Sequence, residues 1–162
     1  MKKIATALVS IMMITNLSAC NSNDTGNLYT PEINYENTRQ NGDENNRSIK
    51  LLIDSVEFIA VLEDNETTST FKKLLPITIN MSELNNNEKY YNLPNPLPTN
   101  SSNPGTIRNG DLMLYGSSTL VLFYKNFSTS YSYTRIGSID NPSGLQSALG
   151  ASDVTITFEI QR

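Results

Sequence analysis

The stretch Gly110–Ile139, GDLMLYGSSTLVLFYKNFSTSYSYTRIGSI, decides the fold. Asn109-Gly110 reads as a turn into a strand over Asp111–Tyr115. Gly116-Ser117-Ser118 reverses the chain, and Thr119–Tyr124 returns. Leu112 and Leu114 alternate with Met113 and Tyr115, then Leu120 and Leu122 with Val121 and Phe123. Successive strand side chains point to opposite faces. A strand that is apolar on both faces is covered on both. The hairpin therefore belongs to a barrel wall with something packed outside it. After Lys125-Asn126 comes a hydroxyl-rich run, Phe127–Thr134, read as a loop, then Arg135 and a strand over Ile136–Ile139.

The flanking sequence repeats the pattern in shorter pieces. Ile49, Leu51 and Ile53 alternate with polar neighbours, as do Ile77, Ile79 and Met81, and Val154, Ile156, Phe158 and Ile160. Val56–Leu62 is a further strand after the Asp54-Ser55 turn. Phe71, Leu74 and Leu75 have helical spacing, so Ser69–Leu75 reads as a short helix capped by Ser69 or Thr68 and stopped by Pro76. Tyr90–Leu93 is extended. Pro94–Gly105 holds four prolines, which excludes a helix or central strand and predicts a long ordered surface loop. Leu145–Leu149 suits a second short helix ending at Gly150. About eight short strands and two short helices give a mainly β chain closed into a barrel.

Composition removes many functions. The 162 residues leave room for one ordinary domain, with 38% hydrophobic and 17% charged residues. The net charge is −4, and loss of Lys2 and Lys3 would bring it to −6. No basic cluster appears, which argues against a nucleic-acid partner. There is no His and no Trp. Ser-His-Asp and Cys-His catalysis are excluded, as are His-ligated metal sites. The carboxylates show no calcium-loop spacing and read as turn chemistry. Asp111 is expected to bond its own turn. No catalytic residue, metal site or cofactor is assigned.

Met1–Cys20, MKKIATALVSIMMITNLSAC, has a positive start, an uncharged and mostly apolar middle, and the ending Leu17-Ser18-Ala19-Cys20. The ending resembles a bacterial lipobox. Residues 1–20 are thus expected to export the chain, with lipid attached to Cys20 as the mature N-terminus. The lipids would anchor the protein to a bacterial membrane on its extracytoplasmic side. Residues 21–47 are crowded with polar side chains and read as a flexible tether. The domain spans residues 48–162 and is expected to be monomeric.

Several segments carry a resemblance in the expected order. Leu74-Leu75-Pro76-Ile77-Thr78-Ile79, Glu88-Lys89 followed by Leu93-Pro94, and Gly110-Asp111 are similar to segments of a bacterial cyclophilin-like family. So are Leu122-Phe123-Tyr124 and Arg135-Ile136-Gly137-Ser138-Ile139-Asp140. The resemblance implies a closed eight-stranded barrel with one or two short helices at its ends. True cyclophilins act on prolyl bonds through a Phe-His-Arg motif, a groove Gln and further His, Phe and Trp residues. Phe71-Lys72-Lys73 does not match that motif, so no catalytic residue carries over. Domains of this family also resemble ones found beside flavodoxin-like modules.

One aromatic and hydroxyl patch has two readings: a ligand groove, or alternate members that pack into the barrel while the others cover its outside. Tyr115, Phe127, Tyr131, Tyr133 and Arg135 offer flat apolar faces with polar tips and one cation able to grip a carboxylate or phosphate. Phe123 and Tyr124 are expected to pack in the wall. The expected function is a membrane-tethered, non-catalytic module that holds a peptide or small ligand in this patch and the 94–105 loop. The alternative is an enzyme, either a residual prolyl isomerase or part of a flavodoxin-linked redox system.

Overall fold

The computed structural model describes residues 47–161, so the lipobox and nearly all of the expected tether lie outside the described residues. The strands are β1 (Ser48–Ile53), β2 (Val56–Leu62), β3 (Ile77–Leu84), β4 (Glu88–Asn92), β5 (Thr106–Ile107), β6 (Asp111–Tyr115), β7 (Thr119–Phe123), β8 (Phe127–Ser128), β9 (Tyr133–Ile139) and β10 (Val154–Ile160). The helices are α1 (Glu66–Lys72) and α2 (Leu145–Leu149). Eight strands close a barrel in the order β1-β10-β3-β4-β7-β6-β9-β2, every neighbour antiparallel. Closure leaves no free edge in the main sheet. β5 and β8 form a separate two-stranded flap.

The alternation read in the sequence sorts side chains as expected. Ile49, Leu51 and Ile53 of β1 meet Ile156 and Phe158 of β10 inside the barrel. In the β6–β7 hairpin, Leu112, Leu114, Leu120 and Leu122 point inward. Met113, Val121 and Phe123 point outward, yet are at most 2% exposed. Their cover is Ile107 of the flap with Phe127 and Tyr133 packed beside it. That second cluster explains why the hairpin is apolar on both faces.

Helix α1 lies one turn earlier than its sequence spacing suggests. Its cap is Asn65, not Ser69 or Thr68: Asn65 Oδ1 accepts from Thr68 N at 2.8 Å, while Asn65 Nδ2 donates to the Arg135 carbonyl at 2.9 Å. Thr67 and Thr68 are poor helix formers, but both are buried and bonded outside the helix. Thr67 Oγ1 donates to the Pro98 carbonyl and Thr68 Oγ1 to the Ile136 carbonyl. The helix thus drives Phe71 into the barrel, edge-on to Phe158 with centroids 6.0 Å apart. At the other end, Leu145 and Leu149 of α2 join the same core.

Strand β9 begins three residues earlier than expected, at Tyr133, and crosses β2 closely. A Cβ on Gly137 would overlap the Val61 carbonyl oxygen and lie 3.0 Å from Leu62 Cα. Only glycine permits that approach.

Candidate functional site

The 94–105 segment is ordered by its backbone, as the sequence implies. Leu97 N donates to the Ser117 carbonyl at 2.7 Å, and Ser102 exchanges two 3.0 Å backbone bonds with Tyr133. Leu97 is buried in the core, and Asn100 N donates to Thr134 Oγ1. The segment therefore lies behind β9 and braces it. It does not line the groove described next.

A trough of about 520 Å³ runs along the outer wall of the barrel. This is within the ordinary range for a ligand site. One bank is β4, whose Glu88, Tyr90 and Asn92 share a face. The floor is Thr119 and Val121 of β7 with Tyr115 of β6. The opposite bank is the run from Phe127 through Tyr131 to Tyr133. That bank is held in place by the flap: Ile107 pairs with Phe127, and Thr129 N donates to the Gly105 carbonyl at 3.0 Å.

Rings form a continuous chain through this wall. Phe127 contacts Phe123 at 5.7 Å, Phe123 contacts Tyr133 at 5.5 Å, Tyr133 contacts Tyr115 at 5.6 Å, and Tyr115 contacts Tyr131 at 6.0 Å. The distances and mostly steep tilts suit edge-to-face contact. Phe123 is fully buried, whereas Tyr115 is 46% and Tyr131 61% exposed. The buried ring therefore anchors a series whose far end is presented to solvent.

Four of the five patch residues, Tyr115, Phe127, Tyr131 and Tyr133, meet in this trough. Arg135 does not line it. Its Nη2 lies 3.1 Å from Asp111 Oδ1 and its Nε 3.8 Å from Glu63 Oε1. Arg135 sits opposite Met113, one outward position beyond Tyr133, just before a bulge that shifts β9 against β6. There it finds two carboxylates, which hold a guanidinium better than rings do. Asp111 is 2% exposed and also accepts from Arg108 N at 2.8 Å, the turn bond expected of it. Tyr133 and Arg135 thus belong to a strand, not to a loop.

The β4 bank escaped the sequence reading. Period-two spacing places Glu88, Tyr90 and Asn92 together, but nothing local says that β4 adjoins β7. Glu88 is half-buried, and burial, then the charge of Glu83, pushes its carboxyl above the ordinary value. Burial, with the charge of Glu88 added, likewise raises the Tyr133 hydroxyl. The trough therefore combines rings, hydroxyls, amides and a single acid.

Comparison with known proteins agrees with the architecture. The solution structure of a hypothetical protein from Archaeoglobus fulgidus superposes with a TM-score of 0.55 at 19% identity, covering 71% of this chain and 95% of that one. At that identity the likeness concerns the fold alone. No curated protein matches the sequence. The model of the cyclophilin-like family matches residues 51–159, from the first barrel strand to the last, and the chain belongs to that family.

Proposed function

We propose that the chain is a membrane-tethered, extracytoplasmic binding module that holds a short extended peptide in the trough between β4 and the 127–133 segment. The observation that carries this is the exposed ring series ending at Tyr115 and Tyr131, seated on a rigid closed wall. Exposed aromatics on a fixed support give contact area at little entropic cost. Tethering is supported by the order Lys2-Lys3, apolar run, Leu17-Ser18-Ala19-Cys20.

Capture from a peptide array tests the groove. Tyr131→Ala is expected to weaken every bound peptide by about tenfold, the loss of one ring contact. A Thr155→Ala change on β10, across the barrel, leaves capture unchanged. Equal capture by both variants would place the site elsewhere. Membrane partition tests the tether: Cys20→Ala should release the chain into the soluble fraction, and continued partition would refute lipid attachment.

A further inference from the structure

The trough has an unbalanced charge. Glu88 is the one carboxylate that lines it, and no Lys or Arg does. Among the described residues Glu88 takes part in no ion pair. The nearest cations in sequence are engaged elsewhere. Lys89 points into the end of the barrel and pairs with Glu83, and Lys125 lies over the Tyr124 ring at 5.9 Å. A half-buried carboxylate without a cation is costly to keep charged. A carboxylate at one end of a trough with no cation beside it asks for a group that donates and carries positive charge. Tyr90 and Phe127 add rings near the same end, and ring faces favour cations.

The other end is different in character. Tyr115 and Tyr131 stand beside Thr119, which pairs with Asn92 at the far end of β4. Glu88 and Asn92 are four strand steps apart, about 13 Å. A free amine that reaches Glu88 does not reach the exposed rings. One ligand that uses both ends is several residues long.

From this charge balance and spacing we infer that the trough is specific for an extended peptide whose Lys or Arg side chain ends at Glu88, while a neighbouring apolar residue lies on Tyr115 and Tyr131. This inference rests on the peptide-binding reading above and names its ligand class. Its test uses the full chain in detergent and labelled octapeptides that differ only in carrying Lys, Gln or Glu at a scanned position. Lys peptides are expected to bind about tenfold more tightly than Gln peptides at the best position, and Glu peptides more weakly still. Glu88→Gln should reduce the Lys-to-Gln ratio below about twofold.

Binding without a Lys preference, or a preference that survives Glu88→Gln, overturns the inference and leaves the groove reading standing. Absence of any peptide binding overturns both. Butylamine serves as a control for length. If it alone matches the Lys peptide in affinity, the ligand is a small amine and the peptide claim fails.

Discussion

Lys89 Nζ lies 2.5 Å from Glu83 Oε2, with the Lys89 side chain fully buried inside the end of the barrel. The ammonium also donates to the Ser152 carbonyl at 2.6 Å and the Gly150 carbonyl at 3.1 Å. All three of its protons are used. Tyr124 Oη donates to the same Glu83 oxygen at 2.8 Å. Burial raises the Tyr124 hydroxyl, and its bond to Glu83 raises it further. The pair joins the β3–β4 hairpin to the segment after α2, which no strand pairing does.

Removing one partner should therefore be costly. Lys89→Met leaves the Glu83 carboxylate without its cation and two carbonyls without their donor, and about 3 kcal/mol of stability should be lost. The double variant Lys89→Met/Glu83→Gln should recover part of that loss, because no uncompensated charge remains. Urea unfolding of the wild type, both single variants and the double variant measures the coupling. A loss below about 1 kcal/mol in Lys89→Met would show that the network contributes little.

Glu83 and Glu88 should oppose each other in acid. For Glu83 burial raises the carboxyl, but the bonds from Lys89, Tyr124 and Asn86 outweigh it and the net direction is down. A depressed carboxyl stabilises the fold above the unfolded value, about pH 4.3, and that contribution is lost as pH falls through the folded value. Glu88 is raised, so the folded state takes up its proton first and stability falls as pH rises through its folded value. Glu88→Gln should accordingly be more stable than wild type at pH 7. The gap should close near pH 4, as followed by thermal unfolding across that range. A gap independent of pH would exclude the carboxyl's charge as its origin.

Arg135 should matter to the fold and not to the groove. Arg135→Ala removes the cation from Asp111, which is buried, while Glu63 on the other side is exposed. Because Arg135 itself is partly solvated, the expected loss is about 1–2 kcal/mol. Peptide capture should stay within about twofold of wild type. A large loss of capture at unchanged stability would return Arg135 to the binding surface.

Gly137→Ala should be among the most damaging single-methyl changes. The added carbon would meet the backbone of Val61 and Leu62, and backbone in a closed barrel cannot move aside locally. A cost of about 2–3 kcal/mol is expected from equilibrium unfolding. Gly116→Ala is the comparison, since nothing crowds that position; its cost comes from a backbone φ of +58° alone.

The groove was half legible before folding. Tyr115, Phe127, Tyr131 and Tyr133 are close in sequence, and their rings and hydroxyls mark them as a group. Arg135 was grouped with them by proximity in the chain. A bulge and two acids, none of them evident in that run, take it elsewhere. Glu88 and Tyr90 come from a strand some 30 residues upstream, whose place beside β7 no local pattern encodes. The strand reading of Tyr133–Arg135 was missed for a related reason. Tyr, Thr and Arg there have no apolar alternation, and pairing with Tyr115, Leu114 and Met113 of β6 makes the strand.

What the sequence by itself determined is what depends on neighbours along the chain. Alternation of apolar residues placed the strands, Gly and Asn placed the reversals, and apolar residues on both faces of Leu112–Phe123 required a cover outside the wall. The absence of His removed whole classes of catalysis. Only the tertiary structure decided which strands adjoin. Ile49 pairs with Ile160 and Glu88 with Phe123, separations that no turn dictates. Such pairings follow from closing the barrel with every inward side chain buried, a condition on the whole chain at once. The flap over the hairpin, Lys89 turned inward and Glu88 turned out into the trough all follow from that closure.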